Sequence, residues 1–399
     1  MRSFGYAKAP DVASALAALA TPGTEVIAGG TELVNWLKEG IAAPDRLLDI
    51  TGLPLGVVEA SADGLRLGAL ARMSEVAAHP VVAREYPVLG EALLAAASAQ
   101  LRTMATIGGN ILQRTRCPYF RAETLLPCNQ RVAGSGCAAR DGDTRAQAIF
   151  GWTPECVAPH PSDLAVTLTA LDATIAVRSG ADGNRAVPMG EFYRQPGVDT
   201  ALTAVESDEL VVAVTVPGSP PAARSHDLKV RERVSYEFAV VSVAAVVELD
   251  GSVLTRVRLA LGGVAHRPWR LGDAEAALRG VEIDDIDALR AAVAGQQSLH
   301  RRWFRLQGLR PPAPADHRSG RAGAGPPGAA RAEPGADVHR VRAPARDPAD
   351  GDAGRERRRR AARCARSSII ASTRPPAPTT TPSSPPPAPD GSTPPRRCG

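Results

Sequence analysis

The chain has 399 residues, 44% hydrophobic, 4% aromatic and 22% charged, with a formal net charge of +5. Those averages conceal a break. From Pro311 to Gly399, Pro (18), Ala (18), Arg (16) and Gly (9) fill 61 of 89 positions, and Leu, Phe, Trp, Tyr, Met and Lys are absent. Such a stretch excludes a packed core of its own. Its Arg outnumber Asp plus Glu by 16 to 8, which leaves residues 1–310 at −3 and removes the main charge argument for nucleic-acid binding by the folded part.

In chain order, Val12, Leu16 and Leu19 recur at helical spacing after Asp11, an N-cap residue type, which predicts a helix over 11–20. A short apolar strand over 25–28 turns at Gly29-Gly30-Thr31 into a helix over 32–38, and a strand follows at 46–49, so the first ~50 residues read as a small α/β unit. Two strand-like runs between 55 and 70 flank Ala62-Asp63-Gly64 and predict a hairpin. Helices are expected at 74–78 and 88–97. Then come the glycine-bearing segment 100–110 and about 50 residues of little periodicity, long enough in a compact domain to need a reason such as a bound inorganic centre. A helix at 163–171, capped by Ser162 or Asp163, and strands at 173–177 and 209–217 lead to strand-rich stretches at 227–234, 239–249 and 255–261. Helices at 273–278 and 286–294 close this second α+β region.

The domain organisation expected from this reading is 1–218, divided at about residue 55 and holding a cysteine loop at 111–160, then 219–300, then a disordered tail at 301–399. Ala, Arg, Pro and Gly are what GC-rich codons encode, so a shifted reading frame is a second origin for that tail. No apolar run approaches the roughly 18 residues of a membrane span, and no export signal is read at the N-terminus. A cytoplasmic location without membrane insertion is the expectation.

Three features have the residue types that chemistry needs. Val26, Ile27, Ala28, Gly29, Gly30, Thr31, Glu32 and Leu33 form a strand, a Gly-Gly turn and a helix start, where free backbone N–H groups suit a phosphate; a plain tight turn has the same sequence. Thr106, Ile107, Gly108, Gly109 and Asn110 are a second glycine pair able to bring backbone close to a ligand. The cysteines run Cys117-x10-Cys128-x8-Cys137-x18-Cys156, and four thiolates suit a [4Fe-4S] cluster or a structural zinc, a choice the spacing leaves open. The zinc alternative pairs with a basic nucleic-acid-binding tail. Asp163 opens a helix, and Lys229 is one of only three lysines in the chain.

The ordered segments VIAGGTEL, QLRTMATIGGNILQRTRCPYF, GSGC, CVAPHPSDLA, VVAVTVP and LKVRERVSYEFAVVSVAAVV together resemble the FAD-binding medium subunit of the xanthine dehydrogenase family of molybdenum hydroxylases, over residues 1 to about 297. They are most similar to the aldehyde oxidoreductase branch, whose FAD subunit carries an extra iron-sulfur loop. The resemblance implies an α+β fold: a two-subdomain FAD-binding domain of the vanillyl-alcohol-oxidase (PCMH-like) type, followed by a small α+β C-terminal domain of the CO dehydrogenase flavoprotein type. It implies that residues 26–33 wrap the FAD pyrophosphate and that residues 106–110 line the ribityl and phosphate region. It further implies that Asp163 takes a sugar or ribityl hydroxyl, that Val211 and Lys229 approach the flavin, and that the four cysteines hold [4Fe-4S]. The implied partners are a [2Fe-2S] small subunit and a large subunit with molybdenum cofactor, with electrons passing through FAD to an external acceptor. Periplasmic co-export with a signal-bearing partner subunit is the implied alternative location. The family's last amphipathic segment has no counterpart after residue 300, where Arg301-Arg302-Trp303-Phe304 leads into the tail.

Overall fold

The computed structural model describes residues 1–180, 183–197, 201–218 and 224–294, all within the unit Met1–Ala315. The expected tail at 301–399 lies outside the described residues, as do the ends of the 219–300 region. The chain opens with β1 (Gly5–Lys8), α1 (Val12–Leu19), β2 (Thr24–Ile27), α2 (Leu33–Lys38) and β3 (Arg46–Asp49), whose three strands form a parallel sheet of order β1-β3-β2. Asp11 caps α1 as its position predicts, its carboxylate accepting from the Ser14 N–H at 2.7 Å. Leu16, Leu19 and Leu48 then meet in one small core.

The hairpin of β4 (Val58–Ser61) and β5 (Gly64–Gly68) is followed by five short helices: α3 (Met73–Ala78), α4 (Pro80–Glu85), α5 (Pro87–Ala95), α6 (Ala99–Arg102) and α7 (Ile107–Ile111). Pro80 and Pro87 each stand in the first turn of a helix, where a missing N–H costs nothing, so the prolines divide one apolar stretch into separate helices. After the cysteine loop come α8 (Asp163–Ala170), β6 (Thr174–Arg178), β7 (Asn184–Pro188), α9 (Met189–Phe192) and β8 (Leu210–Pro217). These strands complete an antiparallel five-stranded sheet of order β4-β5-β8-β6-β7. The segment 210–217 is therefore the central strand of that sheet.

The last region is an antiparallel sheet of order β12-β11-β10-β9, from β9 (Ser225–Val230), β10 (Val241–Asp250), β11 (Val253–Gly262) and β12 (Trp269–Arg270), with α10 (Gly272–Ala277) and α11 (Ile286–Ala294) beside it. β9 ends four residues before the predicted limit of 234, and Tyr236 in the following stretch takes φ +53°. Every residue of α8 is buried, and within the described unit this helix joins the regions: Leu164, Val166 and Leu168 share one core with α5, with β6 and β8, and with Ala244, Val246 and Ala260 of the last sheet. That packing fixes the N-terminus of α8 beside α7 and β9.

Candidate functional site

The turn after β2 supplies a row of unused donors. Among the described residues the backbone N–H groups of Gly29, Gly30, Thr31, Glu32 and Leu33 reach no protein acceptor, and Gly30 holds φ +69°, a left-handed conformation that lets successive N–H groups converge. Gly29 is fixed against the second loop: a Cβ there would lie 1.9 Å from the Met104 carbonyl oxygen. From Ile107 onward the backbone donors of that second loop are already used. Ile107 N–H bonds to Ala71 O, Gly108 N–H to Ala69 O, and Gly109 N–H to the Thr106 hydroxyl that caps α7. What residues 106–110 offer a ligand is thus an exposed Gly109 surface on a rigidly tied turn.

Beside them stands α8, capped by Ser162, whose hydroxyl accepts from the Ala165 N–H at 3.0 Å and donates to Asn110 Oδ1 at 2.6 Å. Ser162 is the cap, and Asp163 is the first helical residue. Asp163 and Lys229 are brought together, Nζ to Oδ2 at 2.7 Å, with side chains only 5% and 4% exposed. Burial pushes the Asp163 carboxyl above its usual range, and the Lys229 charge opposes that shift only in part. Val211 lies buried in the core on β8, opposite Val177.

The cysteine loop is built from short bridges. Cys128 pairs with Cys137 in an antiparallel bridge, Thr153 pairs with Cys156, and the loop leans on the last sheet through Ile149 and Phe150 N–H bonds to Val264 O. All four cysteines are free thiols and line one void of about 10 Å³, the space of roughly one water. Burial pushes the Cys156 thiol up to about 12 and raises Cys117 and Cys128 in the same direction. Among the described residues no three His, Cys, Asp or Glu side chains converge closely enough to hold a single metal ion.

The loop grips the first glycine turn through arginines that the sequence reading passed over. Glu32 accepts from Arg116 at 2.7 Å, Arg121 at 2.6 Å and the Trp36 indole at 2.9 Å, while Arg121 also pairs with Glu39 at 2.9 Å. Glu32 is therefore a structural clamp between the free donors and the cysteine loop. Arg abounds throughout the chain, so composition gave these two positions no prominence.

A family model for the FAD binding domain in molybdopterin dehydrogenase matches residues 2–219, more than half of the chain. The chain belongs to that family. The model for the CO dehydrogenase flavoprotein C-terminal domain matches residues 226–299. The chain is 48% identical over 282 residues to the aldehyde oxidoreductase FAD-binding subunit PaoB of Escherichia coli, covering 70% of this chain and 86% of that one. It is 28% identical to the glyceraldehyde dehydrogenase medium chain of Sulfolobus acidocaldarius, over 76% and 93% of the two chains. The carbon monoxide dehydrogenase of Hydrogenophaga pseudoflava has a chain of the same fold, with TM-score 0.56 and 24% identity over 74% of this chain and 86% of that one. This protein is accordingly an FAD-binding medium subunit of the molybdenum hydroxylases and part of an oxidoreductase. No helix among the described residues is long and apolar enough to cross a membrane.

In this flavoprotein the buried pair has an acidic neighbour. Asp227, two residues before Lys229 on β9 and 8% exposed, has its pKa raised to about 7 by burial, then by the charges of Asp163 and Glu91, and its Oδ1 has no hydrogen-bond partner. The folded state therefore holds a proton that the unfolded state releases near pH 4, and the associated stability is lost as pH rises toward 7. Asp227→Asn should raise stability at pH 8 by roughly 2 kcal/mol and leave it nearly unchanged at pH 4. Denaturant unfolding at the two pH values checks this, and an equal effect at both would refute the assignment.

Proposed function

We propose that the residues around the two glycine loops hold FAD, and that Cys117, Cys128, Cys137 and Cys156 hold a [4Fe-4S] cluster beside it. The observation carrying the first part is the run of five unused N–H donors at the start of α2, the kind of nest that takes a pyrophosphate. Residues 26–33 would bind the phosphates and the exposed Gly109 face would take the adjoining chain of the cofactor. Asp163, oriented by Lys229 and the Ser162 cap, would accept from a hydroxyl. Val211, buried in β8, would act through packing behind the site. FAD supplies the electron-transfer chemistry when bound, and the chain positions it and keeps water from it.

The residue types are those a cluster takes. Four free cysteines line one void, and a bound cluster's positive iron would favour the thiolate form that burial alone opposes. The zinc alternative demands four sulfurs at about 2.3 Å from one point, whereas a cubane gives each thiolate its own iron. On this reading the subunit works with a [2Fe-2S] small subunit and a molybdenum-bearing large subunit, in the division 1–218 and 219–300, and delivers electrons to an external acceptor from the cytoplasm, or from the periplasm by co-export.

Anaerobic purification with its partner subunits, followed by iron, sulfide, zinc and flavin assay, tests both parts. One FAD and four irons beyond those of the small subunit are expected, and Cys128→Ser should remove those four irons while retaining FAD. One zinc per chain would refute the cluster, and absent flavin would refute the donor nest.

A further inference from the structure

Arg114 differs from Arg116 and Arg121, its neighbours in the cysteine loop. Arg116 and Arg121 are neutralised by Glu32 and Glu39, whereas Arg114 makes no ion pair with a carboxylate among the described residues. It is fixed nonetheless. Its guanidinium lies over the Phe120 ring at 4.7 Å and near Trp36 at 5.7 Å, and it donates to the Gln130 carbonyl oxygen at 2.5 Å. Phe120 is fully buried and lines the cysteine void, as does Gln130. A planar cation is thus stacked against one wall of the void by rigid contacts, with no carboxylate in ion-pair contact with it among the described residues. Gln130, whose carbonyl oxygen takes the Arg114 N–H, stands two residues after Cys128 and lines the same void, so the guanidinium is held beside the cysteine centre.

We infer that Arg114 is the charge-compensating residue of the four-cysteine centre, raising the reduction potential of the bound cluster by stabilising its more negative, one-electron-reduced form. The inference rests on the [4Fe-4S] reading above. Cluster potentials follow net charge, hydrogen bonds to sulfur and solvent exposure, and a fixed guanidinium in a partly desolvated wall acts on the first of these. Gln147 contributes the second kind of influence, its amide donating toward the Cys117 sulfur at 3.6 Å. The role suits arginine, because a planar fork is held by ring stacking and a carbonyl together, which a lysine ammonium satisfies less completely.

The test is a potentiometric titration of the purified holoenzyme, read by the electron paramagnetic resonance signal of the reduced cluster, for wild type, Arg114→Gln and Arg114→Lys. The Gln variant should show the oxidised-to-reduced ratio at the wild-type midpoint rising about ten-fold, a midpoint lower by about 59 mV for one electron. The Lys variant, which keeps the charge, should move less than half as far. An unchanged midpoint in Arg114→Gln, or an equal fall in Arg114→Lys, would overturn the inference. Loss of cluster iron from Arg114→Gln would assign the residue to cluster retention and overturn it as well. Wild-type holoenzyme lacking the four extra irons would instead defeat the cluster reading itself, before any variant is compared.

Discussion

Gly29→Ala is expected to yield a folded but flavin-poor protein. The new Cβ would stand 1.9 Å from the Met104 carbonyl oxygen and 2.7 Å from its carbon, both backbone atoms that no side-chain rotation can clear. One of the two loops must retreat, and overpacking of this kind costs about 1–3 kcal/mol. The retreat displaces the five free N–H groups from the exposed Gly109 surface, so FAD affinity should fall at least about ten-fold, roughly 1.4 kcal/mol. Gly190→Ala is the matched control, since its Cβ would meet nothing within 4 Å. Flavin fluorescence titration of the two variants measures the difference, and wild-type affinity in Gly29→Ala would show that the contact between the loops does not shape the cofactor site.

That contact illustrates what the sequence conveys and what it withholds. A local signal marks α1, because Asp11 and the 3–4 spacing of Val12, Leu16 and Leu19 are read within one window, and β3 is found at its predicted bounds of 46–49 for the same reason. The short elements α4, α6, α9 and β7 carry four to six residues each, too few for a period to register, and they depend on their tertiary surroundings, as β7 does on its ladder with β6. Proline was the missed clue for α4, since Pro80 opens it directly after the end of α3. At the site, both glycine pairs were visible as motifs, yet only the fold shows that one turn has five free donors and the other has spent those of residues 107–110. The four cysteines were legible by their clustering in a body otherwise without cysteine. The clamp from Arg116 and Arg121 to Glu32 spans 84 and 89 positions and left no local trace.

Lys229→Met should be among the most destabilising single changes at the site, and its effect should grow with pH. Lys229 and Asp163 are separated by 66 positions and meet with almost no exposure, so removing the cation strands a buried carboxylate, a loss of about 3–5 kcal/mol for pairs of this kind. Burial already raises the Asp163 carboxyl above its usual range with Lys229 present, and without it the rise is larger. A carboxyl whose folded pKa exceeds its unfolded value binds a proton on folding, so its contribution is present below pH 4 and is lost as pH rises through the folded pKa. Asp227, which Lys229 also draws downward, shifts in the same sense and adds to the slope. Unfolding of the flavin-free variant should therefore show a small deficit at pH 5 and the full one at pH 8. Asp163→Asn combined with Lys229→Met should recover much of it at pH 8, because a neutral pair leaves no unpaired charge. A deficit of equal size at both pH values, or no recovery in the double variant, would mean that Lys229 serves the site through packing of its stem and not through its charge.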